Sequence, residues 1–431
     1  MKITIVIILF FISGLIQSQS LQWRLLPDSP QAIRNEDIHF INENTGWCVG
    51  YEGEVYRTTN GGIYWTTVFN STFGDKFSSV GFFDEYTGLL GTLISDSNKV
   101  LFRTTNGGFN WNQITDISGT RPQGICGIYI VNSNLAYACG RYYGSGRVIK
   151  TTDKGLSWKL IFSDTIVVKT LVDVYFWSPD SGIAVGGNNP DLLGNAVIIK
   201  TTNGGDKWQR VHVTSRSSEW GWKISFINVS TGFVSIERFS GLAVILKTTN
   251  SGNNWTEIPF RNYDEEGIGF VNENTGWVGG WTGPTYQTTN GGSNWFLAGW
   301  GTNVNRFRFL SDTLGYAVGD RIYKYSGAPL MIQNISSEIP EEFTLEQNYP
   351  NPFNPTTNLE FGIPEAGYVT MKIYDGIGRE VQTLFNDRLL TGNYKLEFNG
   401  SNFASGIYFY KLSFEGKGKS FVNTKRMILL R

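Results

Sequence analysis

The sequence predicts an all-β protein, a seven-bladed β-propeller closed by its N-terminal strand and followed by a small Ig-like β-sandwich. Three observations carry this prediction. A nine-residue turn recurs six times, with its tryptophans 40 to 50 residues apart, and a second motif recurs seven times between the turns. The chain after residue 343 follows a different pattern of alternating strands. Repeats of this size are typical of propellers and solenoids.

The first 20 residues read as a secretory signal peptide and are set apart from the fold. Lys2 supplies the early charge, an apolar run extends from Ile3 to Ile16, and Ser18 and Ser20 provide the small residues of a cleavage site. No later stretch is long and apolar enough to span a bilayer. We therefore predict an exported protein with no transmembrane segment in the mature chain.

The composition excludes several classes of partner and fold. The 36 basic and 37 acidic residues almost cancel, so no overall field attracts nucleic acid or an anionic membrane. The 51 glycines and 14 tryptophans suit many turns between short aromatic strands. The chain has only three cysteines, so disulfides do not hold the fold together.

The recurring turn reads as a hairpin because a β-rich segment stands on each side of it. Its copies occupy residues 57–65, 103–111, 150–158, 200–208, 247–255 and 287–295. Asn or Asp can bond its own backbone two residues on, glycine supplies a positive φ, and the final Trp can fold over the hairpin. The residues given this structural role are Asn60, Trp65, Asn106, Trp111, Asp153, Trp158, Asn203, Trp208, Asn250, Trp255, Asn290 and Trp295.

The second motif reads as strand, polar turn, small residue and strand. It occupies residues 40–50, 82–92, 130–140, 176–186, 226–236, 270–280 and 309–319. The two hairpins together supply four strands, the size of one propeller blade. The seventh unit lacks the recurring turn and the Trp strand, whereas a lone Trp strand, LQWRLL, stands at 21–26. We predict that this strand completes the last blade, so that residues 21–326 form the propeller.

The recurring turn fits the Asp-box pattern familiar from sialidases and other propellers. Together with the motif F-x-N-x-x-x-G-W-x-V-G, it resembles the propeller family of photosystem II stability and assembly factors and its secreted bacterial relatives. The resemblance covers about 300 residues. It implies that the Asp boxes clamp the outer hairpins and do not bind ligand. Photosynthesis is not carried over, because the tail of this chain is unlike that of a photosynthetic factor.

The tail resembles the C-terminal sorting domain of type IX secretion cargo. The segments that carry this resemblance are YPNPFNPTT at 349–357, VTMKIYDGIGREV at 369–381, SGIYFYKL at 405–412 and KRMILLR at 425–431. The resemblance implies a sorting domain at 344–431, after a linker at 327–343. It implies as partner the type IX machinery, and export through the periplasm to the cell surface or the medium. The alternative is an ordinary adhesive Ig-like module.

The sequence contains little that indicates catalysis or a cofactor. His39 and His212 stand in strand-like runs, and neither has a partner at metal-ligand spacing. No zinc signature, phosphate loop or nucleophile elbow occurs, so we expect no cofactor, no metal and no catalytic residue. Cys126 and Cys139 could face each other across a hairpin, either as a disulfide or as two buried thiols. Cys48 stands alone.

A glycan hydrolase is the enzymatic alternative, either sialidase-like or xyloglucanase-like. A sialidase needs an arginine cluster, a Tyr–Glu nucleophile pair and an acid–base Asp. The segment WRLLP at 23–27 is only a near match to the early sialidase motif. Three arginines stand before or at the start of first strands of blades: Arg34, Arg121 and Arg306. An arginine cluster of the sialidase type therefore remains an alternative at this point.

A binding face is predicted where the loops that enter the inner strands meet those that link second to third strands. Aromatic residues and arginine anchor interfaces and stack on sugars. The candidate ligand-binding residues on this face are Arg121, Arg141, Tyr142, Trp220, Trp222, Trp281, Trp300 and Arg306. We expect a monomeric, non-enzymatic propeller that binds a protein or glycan outside the cell. An assembly factor of an extracytoplasmic complex is the alternative from a second class.

Overall fold

The computed structural model describes residues 21–430 except 27, 72–75, 94–98, 141–144, 165, 167, 190–192, 239–240, 261–264, 327–331, 337, 390 and 417–418. Every regular element in these residues is a β-strand, which confirms the all-β prediction. The chain divides into two compact units, one spanning Trp23–Ser326 and the other following from Gly327. Within the described ranges, no helix has the length and apolarity needed to cross a bilayer.

Seven sheets succeed one another along the described part of the first unit. Strand β1, Gln22–Leu25, comes first in the chain and belongs to the seventh sheet. The first sheet contains β2 Asn35–Phe40, β3 Gly46–Gly50, β4 Glu54–Thr58 and β5 Thr66–Asn70. The second contains β6 Phe77–Phe82, β7 Gly88–Thr92, β8 Leu101–Thr104 and β9 Asn112–Gln113. The third contains β10 Ile117–Ser118, β11 Gly127–Ile130, β12 Ala136–Gly140, β13 Gly146–Thr151 and β14 Trp158–Asp164.

The remaining four sheets repeat the same order. The fourth contains β15 Thr170–Phe176, β16 Gly182–Gly187, β17 Ala196–Thr201 and β18 Gln209–Val213. The fifth contains β19 Glu219–Phe226, β20 Gly232–Arg238, β21 Val244–Thr248 and β22 Thr256–Pro259. The sixth contains β23 Glu265–Phe270, β24 Gly276–Gly280, β25 Pro284–Thr288 and β26 Phe296–Thr302. The seventh contains β27 Arg306–Phe309, β28 Gly315–Val318 and β29 Ile322–Ser326.

The inner strands of these sheets form a closed ring. Within each sheet successive strands pair antiparallel and in chain order, with two exceptions: β10 lies beyond β14 and parallel to it in the third sheet, and β1 lies beyond β29 in the seventh. Strands β2, β6, β11, β15, β19, β23 and β27 each contact the next of the series, and β27 contacts β2. The first unit is therefore a β-propeller whose inner strands surround a lumen.

The N-terminal strand joins the last sheet, as the unequal number of the two motifs predicts. The sheet order is β1-β29-β28-β27, so β1 lies outermost. The backbone N–H of Leu26 donates to the carbonyl oxygen of Ile322 at 3.0 Å. Trp23 is 7 % exposed and stacks on Trp300 with ring centroids 4.8 Å apart. This pairing confirms the predicted closure and covers the edge of β29.

Glycine begins most of the second strands for a steric reason. A Cβ added at Gly46 would lie 2.6 Å from the ring of Phe40, the last residue of the preceding strand. The same contact recurs at Gly88, where a Cβ would lie 2.5 Å from the ring of Phe82. The second motif therefore needs a small residue here, because the aromatic ring of the same hairpin packs where a side chain would otherwise stand.

The second unit consists of two four-stranded sheets with a shared apolar core. Its strands are β30 Ile332–Ser336, β31 Thr344–Leu345, β32 Thr356–Ile363, β33 Gly367–Asp375, β34 Glu380–Leu389, β35 Gly392–Asn399, β36 Gly406–Gly416 and β37 Lys419–Leu429. The orders are β30-β35-β32-β31 and β34-β33-β36-β37. Phe361 of the first sheet stacks on Phe385 of the second, with centroids 5.7 Å apart. Strand β30 lies in the segment 327–343 predicted as a linker. It pairs with β35, so this part of the segment belongs to the tail.

The three cysteines are buried, and no disulfide joins them. Cys126 and Cys139 lie at the end of one hairpin, where the N–H of Cys126 donates to the carbonyl oxygen of Cys139 at 2.9 Å. The disulfide alternative for this pair is therefore wrong, and the buried-thiol alternative holds. Burial raises the pKa of the Cys48 and Cys139 thiols, so both stay protonated.

Candidate functional site

The lumen opens into a cavity of about 840 Å³ at the ends of the inner strands. This lumen cavity lies on the face that carries the first hairpin turns and the Asp-box turns, since residues 41–43 and 310–314 of those hairpin turns line its rim. Apart from polar residues of the hairpin turns at its rim, its polar lining comes from one position, the penultimate residue of the inner strands. The residues at that position are His39, Tyr129, Tyr175, Ser225 and Arg308.

An ionic cluster closes the lumen beneath the cavity and links three sheets. Arg306 places its Nε 2.9 Å from Asp37 Oδ1 and its Nη1 2.9 Å from Asp173 Oδ2. Arg308, which lines the cavity, lies 3.3 Å from the same oxygen of Asp37. Asp37 and Arg306 are fully buried, at 0 % and 1 % exposure. Buried charges of this kind are tolerated when they are paired and hydrogen-bonded.

Pairing keeps Asp37 and Arg306 ionised. Burial by itself would raise the pKa of Asp37, but the guanidinium groups of Arg306 and Arg308 outweigh it and lower that pKa. Burial would lower the pKa of Arg306, but Asp173 and Asp37 outweigh it and raise that pKa. With its pKa lowered, the Asp37 carboxyl is not available as a proton donor near neutral pH, so it is suited to structure and electrostatics rather than to acid catalysis.

His39 lines the cavity close to Asp37 and Arg308 of the ionic cluster. Its Nε2 lies 3.1 Å from the carbonyl oxygen of Phe82, to which it donates in the neutral tautomer protonated there. Burial, followed by the charge of Arg308, lowers the pKa of His39 to about 4. The imidazole is therefore neutral in the physiological range.

Tyr129, Tyr175 and Phe226 form an aromatic wall on one side of the cavity, and Trp177 continues this wall beyond it. The Tyr175 ring lies 4.9 Å from that of Tyr129 and 5.0 Å from that of Phe226, and Trp177 lies 5.3 Å from Phe226. A second cavity of about 460 Å³ shares Tyr129, Tyr175 and Phe226 and extends the wall outward to Trp177. Burial raises the pKa of Tyr129 and Tyr175, so their hydroxyls stay neutral. Such a wall can stack on planar or apolar groups and still offer hydroxyl groups.

The lumen cavity is poorly equipped for glycoside hydrolysis. Glu43 is the one carboxylate among its described lining residues, whereas the usual mechanism needs two across the scissile bond. Two of the arginines considered for a sialidase cluster are already held by carboxylates of this chain, Arg34 by Glu36 and Glu266, and Arg306 by Asp37 and Asp173. In the part of the chain that the structure describes, no group of three or more His, Cys, Asp or Glu is placed to hold a metal ion.

The predicted binding residues lie in several different environments. Trp220 and Trp222 are buried, at 0 % and 5 % exposure, and their ring centroids are 6.3 Å apart. Trp300 packs against Trp23 in the closing sheet. Arg121 donates from Nη2 to the carbonyl oxygen of Thr115 at 2.6 Å. Arg141 and Tyr142 lie outside the described residues, and Arg306 belongs to the ionic cluster.

Among the described members of the predicted set, Trp281 is the exposed aromatic. It is 47 % exposed, and the guanidinium of Arg34 lies 3.9 Å from its ring centroid. Arg34 is also 2.7 Å from Glu36, and burial, despite the charge of Arg34, raises the pKa of Glu36. This group lies at the end of the lumen opposite the lumen cavity. The role of all these residues in binding stays a prediction.

All six Asp boxes share one hydrogen-bond pattern. In the fourth copy, Thr201 donates from its hydroxyl to Asn203 Oδ1 at 3.0 Å, and that oxygen also accepts from the N–H of Lys207 at 2.9 Å. The hydroxyl oxygen of Thr201 accepts from the N–H of Gly205 at 3.0 Å. Gly205 has a φ of 92°, as the turn requires. The Thr hydroxyl and the Asn or Asp side chain of the box therefore form their hydrogen bonds within the turn itself.

The lumen cavity was missed in the sequence, although a signal for it exists. The inner strands end in an aromatic or apolar residue, and the residue before it alternates to the lumen side. In five of the seven inner strands that residue is polar, as in His39–Phe40, Tyr175–Phe176 and Arg308–Phe309. Polar residues at one position of successive strands indicate a shared lining when the strands form a ring.

Comparison with known proteins finds a family match within each unit. Residues 347–429 match the family model of the secretion system C-terminal sorting domain. Residues 16–168 match that of the photosynthesis system II assembly factor YCF48. The chain is thus similar to the assembly-factor family over the first half of its propeller and to the sorting domain over its tail. The sorting tail supports secretion or export to the cell surface and implies contact with the type IX machinery. No curated protein matches the chain.

Solved structures agree with the propeller fold. A structure of YCF48 bound to D1 peptide is 19 % identical, with a TM-score of 0.53 over 71 % of this chain and 94 % of that one. YCF48 from Cyanidioschyzon merolae is 21 % identical, with a TM-score of 0.52 over 70 % and 98 %. The GH74 xyloglucanase of Xanthomonas campestris is 10 % identical, with a TM-score of 0.50 over 80 % and 60 %. At these identities the likeness extends to the fold alone.

Proposed function

We propose that the chain is an exported, non-enzymatic seven-bladed propeller that binds a segment of another protein in the lumen cavity. An Ig-like sorting tail, in this proposal, delivers it through the type IX pathway to the cell surface or the medium. Support for seven blades comes from the seven successive sheets and the contact between β27 and β2. Support for an Ig-like tail comes from its two antiparallel sheets with a common core.

The aromatic wall carries the binding proposal. Tyr129, Tyr175 and Phe226 border both cavities, so a bound segment could extend from the lumen across the face of the ring. Aromatic residues dominate the energetics of protein interfaces because they bury a large area at little cost in side-chain entropy. Arg308 and the tyrosine hydroxyls add polar groups that would fix the position of the segment.

A protein ligand is favoured over a sugar substrate. The YCF48 structure that shares the propeller fold carries a peptide. The single carboxylate in the described lining argues against hydrolysis of a glycan there. A role in assembling an extracytoplasmic complex is compatible with this proposal, since an assembly factor acts by binding a protein.

The experiment begins with the purified mature chain, screened on arrays of surface proteins, peptides and glycans. The best ligand is then titrated against Tyr175→Ala, which removes the centre of the aromatic wall, and Trp281→Ala, which removes the exposed aromatic at the opposite end of the lumen. We expect the first variant to weaken binding about tenfold or more and the second to leave it unchanged. Loss of affinity in Trp281→Ala alone would place the site on the opposite face. Binding to glycans with no protein ligand would contradict the proposed ligand class.

A further inference from the structure

The outer face of the second tail sheet carries an unusual arrangement of charge. In the register of β33 and β36, Lys372 stands directly opposite Lys411, and both side chains point away from the core because Met371 and Leu412 point into it. Side chains directly opposite each other in antiparallel strands lie about 5 Å apart, and like charges in that position destabilise the pair.

A third cation lies next to this pair. Arg426 of β37 stands opposite Phe409, one row along the same face from Lys411. Lys372 is 2.9 Å from Glu380. Among the described residues, Lys411 and Arg426 have no acidic partner within salt-bridge distance. We call Lys372, Phe409, Lys411 and Arg426 the basic face.

The other tail sheet is built in the opposite way. There Glu360 of β32 stands directly opposite Lys395 of β35, and their charged groups are 3.2 Å apart. A cross-strand pair of opposite charge is the arrangement that stabilises a sheet. The same domain therefore pairs this lysine across the strands on one outer face, whereas on the other it sets Lys411 opposite a lysine whose acidic partner is Glu380.

The basic face also exposes apolar surface beside its cations. Ile407 is 47 % exposed and stands opposite Ile428, next to the Phe409–Arg426 row. Val422, on the same face of β37, is 57 % exposed. Cations that flank an aromatic and aliphatic strip fit an acidic protein surface with apolar side chains of its own, because such a partner would neutralise the repulsion and bury the strip.

We propose that the basic face is the docking surface through which the tail binds an acidic protein surface of the export machinery. This inference rests on the proposed export role of the tail and adds which side of the domain is recognised. The unsatisfied charge of Lys411 is then a binding determinant, retained at some cost to the stability of the isolated domain.

The test is Lys411→Glu in the full-length chain, expressed in a host with type IX secretion. This change places a carboxylate opposite Lys372, so the tail should keep or raise its melting temperature, and loss of export cannot be ascribed to unfolding. We expect the exported fraction to fall at least tenfold, with the chain accumulating in the periplasm. Lys411→Arg keeps the positive charge and should be exported like the wild type. The matched control is the double variant Glu360→Lys/Lys395→Glu on the other sheet, which reverses the lysine but keeps a cross-strand pair of opposite charge, and it should be exported like the wild type.

Four results would decide otherwise. Normal export of Lys411→Glu, together with normal export of Arg426→Glu, overturns the docking surface. A chain that crosses the outer membrane but no longer stays at the surface indicates an anionic glycolipid as the partner and also overturns it. Failure of the double variant Glu360→Lys/Lys395→Glu to be exported shows that charge reversal elsewhere in the tail also blocks export, which removes the argument for this face. If a chain without the tail is exported normally, the export role itself fails, and the inference fails with it.

Discussion

Lys324 of the seventh sheet donates from its ammonium group to the carbonyl oxygen of Gly61 in the Asp box of the first sheet, at 3.0 Å. The same contact joins other neighbouring sheets, as when Lys150 donates to Gly204 and Lys200 donates to Ser251. The seventh sheet has lost its own Asp box but has kept the basic residue that precedes it. The ring is thus closed at its rim by this contact as well as by strand β1.

The contact at Lys324 should contribute measurably to stability. Lys324→Met removes the buried charged donor and leaves the carbonyl oxygen of Gly61 with only Tyr316, whose hydroxyl lies 2.9 Å away. Hydrogen bonds to charged groups contribute about 1.5–3 kcal/mol, so we expect the free energy of unfolding to fall by about 2 kcal/mol. Urea denaturation measures it, with the exposed Lys207→Met as control. An unchanged midpoint would show that the outer strand alone closes the ring.

The Asp boxes should stabilise the blades without taking part in binding. Asn203→Ala removes the acceptor for Thr201 and Lys207, and should lower the free energy of unfolding by about 1 kcal/mol. Trp208→Ala should lower it by about 3 kcal/mol, because the ring packs edge-on against Phe176 at 6.0 Å. Both variants should bind the ligand of the proposed site normally when tested below their unfolding transition. Reduced affinity at full stability would instead assign a binding role to the box.

His39 should make the propeller less stable as the pH falls. Its pKa is about 4 in the folded chain and near 6.5 when unfolded, so between these values the unfolded chain binds the extra proton. The wild type should therefore lose up to about 3 kcal/mol from this group on going from pH 7 to pH 4. His39→Gln should lack that part of the dependence. Denaturant midpoints of the two proteins, measured at intervals of half a pH unit, give the difference, and parallel curves would contradict the assignment.

The tail should act as an export signal, and the propeller should fold without it. Strand β30 pairs with β35, so the deletion should remove residues 332–431 rather than only 344–431. The remaining ring keeps all seven of its described sheets, and the truncated chain should fold and accumulate in the periplasm. Fractionation and an immunoblot against the propeller measure this. Continued export would make the tail an adhesive module, and absence from every fraction would show that it assists folding.

Much of the architecture could be derived from local sequence patterns. The Asp boxes, the small residue of the second motif and the lone strand around Trp23 are each explained by contacts within one hairpin or one sheet. Such contacts depend on neighbouring residues, so they leave a periodic trace in the sequence. The sorting tail could also be predicted from the sequence, because each of its four diagnostic segments is a continuous stretch of residues.

The binding surface could not be derived in the same way. Trp220, Trp222 and Arg306 look like free anchors in the sequence, yet they are buried by neighbouring sheets. Conversely, Tyr129, Tyr175, Phe226 and Arg308 come from different sheets, and a cavity joins them only because the ring closes. The like-charged pair of Lys372 and Lys411 likewise depends on strand register. Sequence periodicity reports which way a residue points within its own strand, whereas burial and charge pairing depend on residues that are distant in the chain.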